Sequence, residues 1–225
     1  LVALVGALET AGFPVIAAPE GKRWADNEHG PSGPDETVWF EADDIAYSFA
    51  MKGAGSATEA QSFEPWVFSN DWDLAQVLAI PARASLPEAR FFTTRGEERT
   101  SADVEREFGI PPAKLAELKA LAGDPTDGYK PFPGEAPGKP GIGEKGAADL
   151  LRAFGSASSA MAAALSNLDA TFAEKGIPKR IPALLRKGGQ EALERGLKLA
   201  TLRSDAPVPD GFDVGDWEEA EAVLI

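Results

Sequence analysis

Asp124 and Asp127 stand three positions apart at the front of the stretch GDPTDGYKPFPGEAPGKPGIG, residues 123–143, and Gly141-Ile142-Gly143 closes it. The glycine hairpin opens directly onto the helix pattern EKGAADLLRAF. A helix start presents unpaired backbone N–H groups and the positive end of the macrodipole, so glycines there let a phosphate approach the main chain closely. Carboxylate oxygens are ligands for hard divalent ions such as Mg²⁺ or Mn²⁺. A metal-ligand pair beside a phosphate cradle points to phosphodiester chemistry. Taken alone, the glycine pair reads equally well as a plain turn between helices. Two further acidic clusters earlier in the chain shift the balance.

The first cluster is in WFEADDIAYSFAMKGAG, where Glu41, Asp43 and Asp44 lie at the change from an extended segment to a helix carrying Ile45, Phe49 and Met51 into the core. The helix dipole favours acids in a first turn. Three within four residues repel one another, however, unless they share a cation. The second cluster follows a short apolar strand over 65–68: Asp71 and Asp73 precede LAQVL, which the pattern predicts to be helical. Ligands of open α/β sheets sit at the carboxyl ends of parallel strands. Asp71 also reads as a helix cap and Asp73 as an ordinary first-turn acid.

The chain has no cysteine, which excludes disulfides, zinc–thiolate sites and thiol nucleophiles, and its single His29 lies in a polar Gly/Pro-rich stretch, so histidine is not the expected general base. No run of about 18 apolar residues reads as a membrane span, and no leader reads as a signal peptide. The net charge of −14 argues against a polyanionic partner until its distribution is considered. From residue 139 to 203 there are eleven Lys and Arg against six Asp and Glu. A polyanion can dock on that half while bound cations offset the carboxylates of the other; alternatively, these basic residues are solvated helix faces.

The elements that must position these groups follow from periodicity. Apolar residues at Leu1, Val2, Leu4, Val5 and Leu8 predict a helix ending at Gly12, and 13–18 a strand. This opening helix has neither a cap nor an initiator Met, so a preceding portion is expected. Residues 19–37 read as a surface loop pinned by Trp24, in which Lys22, Arg23 and His29 are available to a substrate. Residues 89–94, ARFFTT, predict an edge or hairpin strand. Helices are predicted over 100–108, from Pro111-Pro112 to Gly123, over 156–165 and over 181–201, with an acidic tail beyond.

In order, FEADDIA, SNDWDLAQVL, EFGIPPAKLAELKALAGDPTD, GKPGIGEKGAADLLRAFGS and LKLATLRSDAPV resemble the motifs of the 5′-nuclease family: the 5′-3′ exonuclease domains of bacterial DNA polymerase I, their free-standing relatives, and phage flap endonucleases. The resemblance spans about 170 residues from Phe40 onward. It implies an α/β, PIN-like core with a mainly parallel sheet over 1–107, a helix-three-turn-helix DNA-binding and helical region over 108–203, and an acidic tail over 204–225. It implies that Glu41, Asp43, Asp44, Asp71, Asp73, Asp124 and Asp127 are catalytic ligands for two Mg²⁺ or Mn²⁺ ions. It further implies a K⁺ held by the carbonyls of Leu121, Ala122, Pro137, Lys139 and Ile142, and a DNA phosphate on the amides of Gly141, Ile142, Gly143, Glu144, Lys145 and Gly146.

The expected activity is structure-selective hydrolysis of DNA at 5′ flaps or 5′ ends, in replication or repair. The expected partners are DNA with such ends, duplex DNA and a polymerase or other replication protein, with no membrane. The chain is expected to be a monomer and, if bacterial or phage, cytoplasmic and nucleoid-associated. The alternative is a non-catalytic DNA-structure binder that keeps the hairpin without a full metal site. Two departures from the family matter. GYKPFPGEAP lengthens the loop after Asp127, and the family's N-terminal Asp-bearing strand, second Asp and Lys/Arg/Tyr-rich arch are expected upstream of Leu1 or on another polypeptide.

Overall fold

A computed structural model of the chain describes residues 41–55, 64–81, 88–124, 128–134 and 140–206. The predicted opening helix, the strand over 13–18, the loop over 19–37 with His29, and the tail beyond 206 lie outside the described residues.

The first element is α1, Ala42–Gly55. Asp44 sits one turn inside it and accepts from the Glu41 backbone N–H at 3.1 Å, satisfying one of the donors a helix start leaves open. Ser48, Ala50 and Gly53 are its buried residues, whereas Ile45, Phe49 and Met51 are partly buried, Met51 packing against the core as predicted. The Ser48 hydroxyl explains its own burial: it donates to the Arg203 carbonyl at 2.9 Å and accepts from the Ala206 N–H at 3.0 Å.

Three short strands follow: β1, Trp66–Phe68; β2, Arg90–Phe92; and β3, Glu98–Arg99, in sheet order β1-β2-β3. β1 and β2 are parallel, with Val67 opposite Phe91; β2 and β3 are antiparallel, with Phe91 opposite Arg99. Among the described residues the sheet is therefore mixed rather than mainly parallel, and β2 is its middle strand as well as one arm of a hairpin. Val67 and Phe91 point to the core, and full burial of Phe91 stabilises the fold by about 2 kcal/mol. The other face carries Trp66 and Phe68, about half exposed, each against the Phe92 ring.

Trp72–Ala79 is helical, as its apolar pattern predicts, and is wound as a 3₁₀ helix. Its end is fixed by Gln76, whose side chain donates to the Ala200 carbonyl at 2.9 Å and accepts from the Leu202 N–H at 3.4 Å.

The remainder is helical. α2, Ser101–Phe108, starts where Asp103 accepts from the N–H and hydroxyl of Thr100, each at 2.7 Å, and stops at Gly109 in the left-handed region. A 3₁₀ turn, Pro112–Lys114, leads into α3, Leu115–Ala122. α4 is Gly143–Phe154, α5 Ala157–Leu165, α6 Asp169–Glu174 and α7 Arg180–Ala200. Glu117 of α3 receives the Ala157 N–H at 2.5 Å, so one helix caps the next. Leu115, Leu118, Leu121, Leu150, Met161, Leu185 and Leu193 knit α3, α4, α5 and α7 into one buried cluster continuous with Val67 and Phe91.

α7 breaks at Gly189, whose φ is 73°. The kink faces the lengthened loop. A Cβ on Gly188 would lie 2.5 Å from the buried Phe132 ring, and one on Gly196 would lie 2.6 Å from the Tyr129 hydroxyl and 2.8 Å from the Ala120 carbonyl. These two glycines make room for the loop and for the crossing of α3.

Candidate functional site

Asp71 occupies the N-cap of the 3₁₀ helix, its Oδ1 accepting from the Asp73 N–H at 2.9 Å while its own N–H donates to the Ser69 hydroxyl at 3.0 Å. Ser69 is tethered to the sheet through its N–H to the Phe92 carbonyl, and Asn70 donates to the Thr94 hydroxyl at 2.7 Å. The pair thus stands at the carboxyl end of β1, next to its parallel neighbour.

Asp124 leaves the C-terminal end of α3 and is fixed by two backbone hydrogen bonds with Tyr129, each 2.8 Å. Asp127 lies between these bridged residues in sequence and outside the described residues, as do Pro137 and Lys139. The Tyr129 hydroxyl donates to the Ala192 carbonyl at 3.2 Å, which pins the loop to α7.

Between the second and third clusters stands a residue that the sequence did not mark, Lys119. Its Nζ lies 2.9 Å from Asp124 Oδ2 and 3.2 Å from Asp73 Oδ1. A basic residue in the last turn of a helix is ordinary, so its position in α3 carried no signal for the site. The Asp73 contact is the longer of the two, and the Asp124 contact is a hydrogen bond.

Electrostatics tie the clusters together. Burial raises the Asp43 carboxyl from 3.8 to about 6, and Asp71, Asp73, Glu41 and Asp44 add to the rise. Burial also raises Asp73, opposed by Lys119 and reinforced by Asp71 and Asp124. Burial lowers Lys119, but Asp124 and Asp73 outweigh it and hold the ammonium above the usual lysine value. The carboxylates of all three clusters therefore sense one another although they come from α1, the end of β1 and the end of α3.

Among the described residues no three Asp, Glu, His or Cys side chains form a closed ligand group. Asp44 and Asp71 each accept backbone N–H groups, and the Lys119 ammonium lies between Asp73 and Asp124. The donor set nevertheless fits a hard cation. It is all oxygen, and Asp73 Oδ1 is buried beside the Lys119 ammonium, a place that already holds a positive charge.

At the hairpin, Ile142 is buried with Gly141 and Gly143 on either side, and Gly143 begins α4 with φ 66°. Glu144 and Lys145 are exposed, while Gly146 packs toward Ile142 and Ile181. A Cβ on Gly141 would meet the Phe132 carbonyl at 2.4 Å, whereas one on Gly143 would meet nothing within 4 Å. The need for glycine at 141 thus arises first from the neighbouring loop, and Gly143 is the position open to an approaching group. Leu121 and Ala122 end α3. Arg180, also not anticipated, donates from Nη1 to the carbonyls of Gly141 at 2.6 Å and Pro140 at 3.2 Å, bracing the hairpin from the start of α7.

No family model matches the chain. Among curated proteins it is 35% identical to DNA polymerase I of Bacillus caldotenax over 174 residues, covering 77% of this chain and 17% of that protein. It is 36% identical to a 5′-3′ exonuclease of Mycobacterium tuberculosis over 180 residues, covering 75% of this chain and 48% of the relative. It is also 30% identical to a thermostable DNA polymerase I of Thermus filiformis over 177 residues, covering 79% of this chain and 18% of that protein. The chain thus spans about half of the exonuclease and under a fifth of the two polymerases.

Proposed function

We propose that this chain, a homologue of the 5′-3′ exonuclease family over about three quarters of its length, is a divalent-metal-dependent 5′ nuclease that hydrolyses DNA at 5′ flaps or 5′ ends. The observation that carries the reading is the meeting of the second and third acid clusters at Lys119, 3.2 Å from Asp73 and 2.9 Å from Asp124, with the first cluster's Asp43 raised in part by Asp71 and Asp73. A pure DNA binder gains nothing from gathering negative charge beside a phosphate.

The residues to hold two ions are Glu41, Asp43, Asp44, Asp71, Asp73 and Asp124, with Asp127 completing the last pair. Ions held there would lower the pKa of an attacking water and stabilise the departing oxygen. The chain's own work is placement. Asp71 is held by the backbone of its own turn, Asp124 by the bridge to Tyr129, and Asp44 by the Arg203 backbone. The amides of residues 141–146 take a phosphate of the duplex. Arg180 steadies the carbonyls of Gly141 and Pro140, and a K⁺ is assigned to the carbonyls of Leu121, Ala122, Pro137, Lys139 and Ile142.

The test is Mn²⁺-dependent cleavage of a 5′-flap duplex with Asp71→Asn as the control. Asparagine caps a helix as well as aspartate, so the variant keeps the fold while losing a charged ligand. Binding without cleavage by the unsubstituted protein selects the non-catalytic binder instead.

A further inference from the structure

We propose that Lys119 is a built-in placeholder cation, a positioning residue that keeps Asp73 and Asp124 together and correctly placed until a divalent ion displaces its ammonium. The inference rests on the reading of these carboxylates as metal ligands and goes beyond it by assigning a role to a residue outside the acid clusters.

Three observations carry it. Lys119 Nζ lies within 3.2 Å of one carboxylate oxygen from each of two elements, so it occupies the place where a shared cation would sit. The side chain is 19% exposed, which makes it part of the interior of the cluster and not a solvated surface lysine. Its contact with Asp73 Oδ1, at 3.2 Å, is longer than its 2.9 Å hydrogen bond to Asp124 Oδ2. A divalent ion attracts the same two carboxylates more strongly than a single ammonium does, so it can take that place.

The surroundings supply the reason for such a device. Asp73 and Asp124 have side chains only 27% and 21% exposed, and two buried carboxylates with no cation between them repel each other. The protein must fold before it meets a metal ion. A tethered ammonium lets the two elements close together in the metal-free state. Its flexible four-carbon stem then allows it to withdraw.

Lys119→Met keeps the length and apolar stem and removes the charge. In EDTA the variant is expected to melt several degrees below the unsubstituted protein. Mn²⁺ is expected to raise its melting temperature more than that of the unsubstituted protein. Calorimetric titration with MnCl₂ in the absence of DNA is expected to give a dissociation constant about tenfold tighter, the order produced by removing one unit charge beside a cation. Unchanged or weaker Mn²⁺ affinity in the folded variant overturns the proposal.

If Lys119→Met does not fold, the unsubstituted protein decides: amine acylation of Lys119, followed by mass spectrometry, is expected to increase several-fold on saturation with MnCl₂. Equal labelling with and without Mn²⁺ overturns displacement. Failure of the unsubstituted protein to bind Mn²⁺ at all strikes the nuclease reading itself, an outcome distinct from both.

Discussion

The Arg203 backbone N–H donates to Asp44 Oδ1 at 2.8 Å, joining two residues 159 positions apart. The same carboxylate accepts from Glu41 through Oδ2, so a candidate ligand is also the clasp between α1 and the segment after α7. Removal of its acceptor leaves a part-buried backbone donor unsatisfied. Asp44→Ala is expected to lower unfolding free energy in urea by about 1 to 3 kcal/mol without any metal present. Asp44→Asn, which keeps one acceptor oxygen, is expected to cost less. Equal losses for the two would show that the clasp does not depend on acceptance at Asp44.

The raised carboxyl of Asp43 sets a pH dependence. Its folded value of about 6 lies above the unfolded value of 3.8, so the folded state holds a proton the unfolded state has released between them. The stability contributed by this group is complete below pH 3.8 and is lost as pH rises through 6. In EDTA, Asp43→Asn is therefore expected to raise the melting temperature at pH 7.5 and to leave it nearly unchanged at pH 3.5. Because Asp43 is only half-buried, solvent screening reduces the gain to about 1 kcal/mol. Scanning calorimetry at both pH values checks this, and the same shift at each would remove Asp43 from the coupled cluster. Proton competition also predicts that Mn²⁺ affinity falls as pH drops below 6.

The two hairpin glycines are expected to separate folding from binding. Gly143 has open space where a Cβ would go, with φ 66°, so Gly143→Asp costs about 1 kcal/mol of backbone strain while placing a negative side chain where the phosphate is proposed to sit. Fluorescence anisotropy with a 5′-flap duplex is expected to show binding at least tenfold weaker. Gly141→Ala should instead lower the melting temperature, because the added carbon meets the Phe132 carbonyl. A Gly143→Asp protein that binds the flap normally would take the phosphate off this hairpin.

Gly196 tests the brace on the lengthened loop. An added Cβ meets both the Tyr129 hydroxyl and the Ala120 carbonyl, and since one of these is backbone the strain cannot be relieved by a rotamer change. Gly196→Ala is expected to destabilise by about 1 to 3 kcal/mol, as overpacking does. Tyr129→Phe, which loses only the hydrogen bond to Ala192, is expected to cost about 1 kcal/mol. Hydrogen exchange at the Asp124 amide, which bonds the Tyr129 carbonyl, should quicken in both variants.

What the sequence determined by itself was local. Thr100 with Asp103 starts a helix and Gly109 stops it, Ser156 caps α5, and Gly155 ends α4, because each of these acts through backbone groups a few positions away. The acid clusters were legible for the same reason: like charges so close along the chain stand out against the expectation that they repel. Only the tertiary structure decided that β2 is a middle strand, that LAQVL winds as a 3₁₀ helix held by Gln76, and that α7 breaks to receive Phe132. It alone set Lys119 between Asp73 and Asp124, and Arg180 under the hairpin. These arrangements join groups from separate elements, and their free energy comes from packing and desolvation that exist only once the chain has closed on itself.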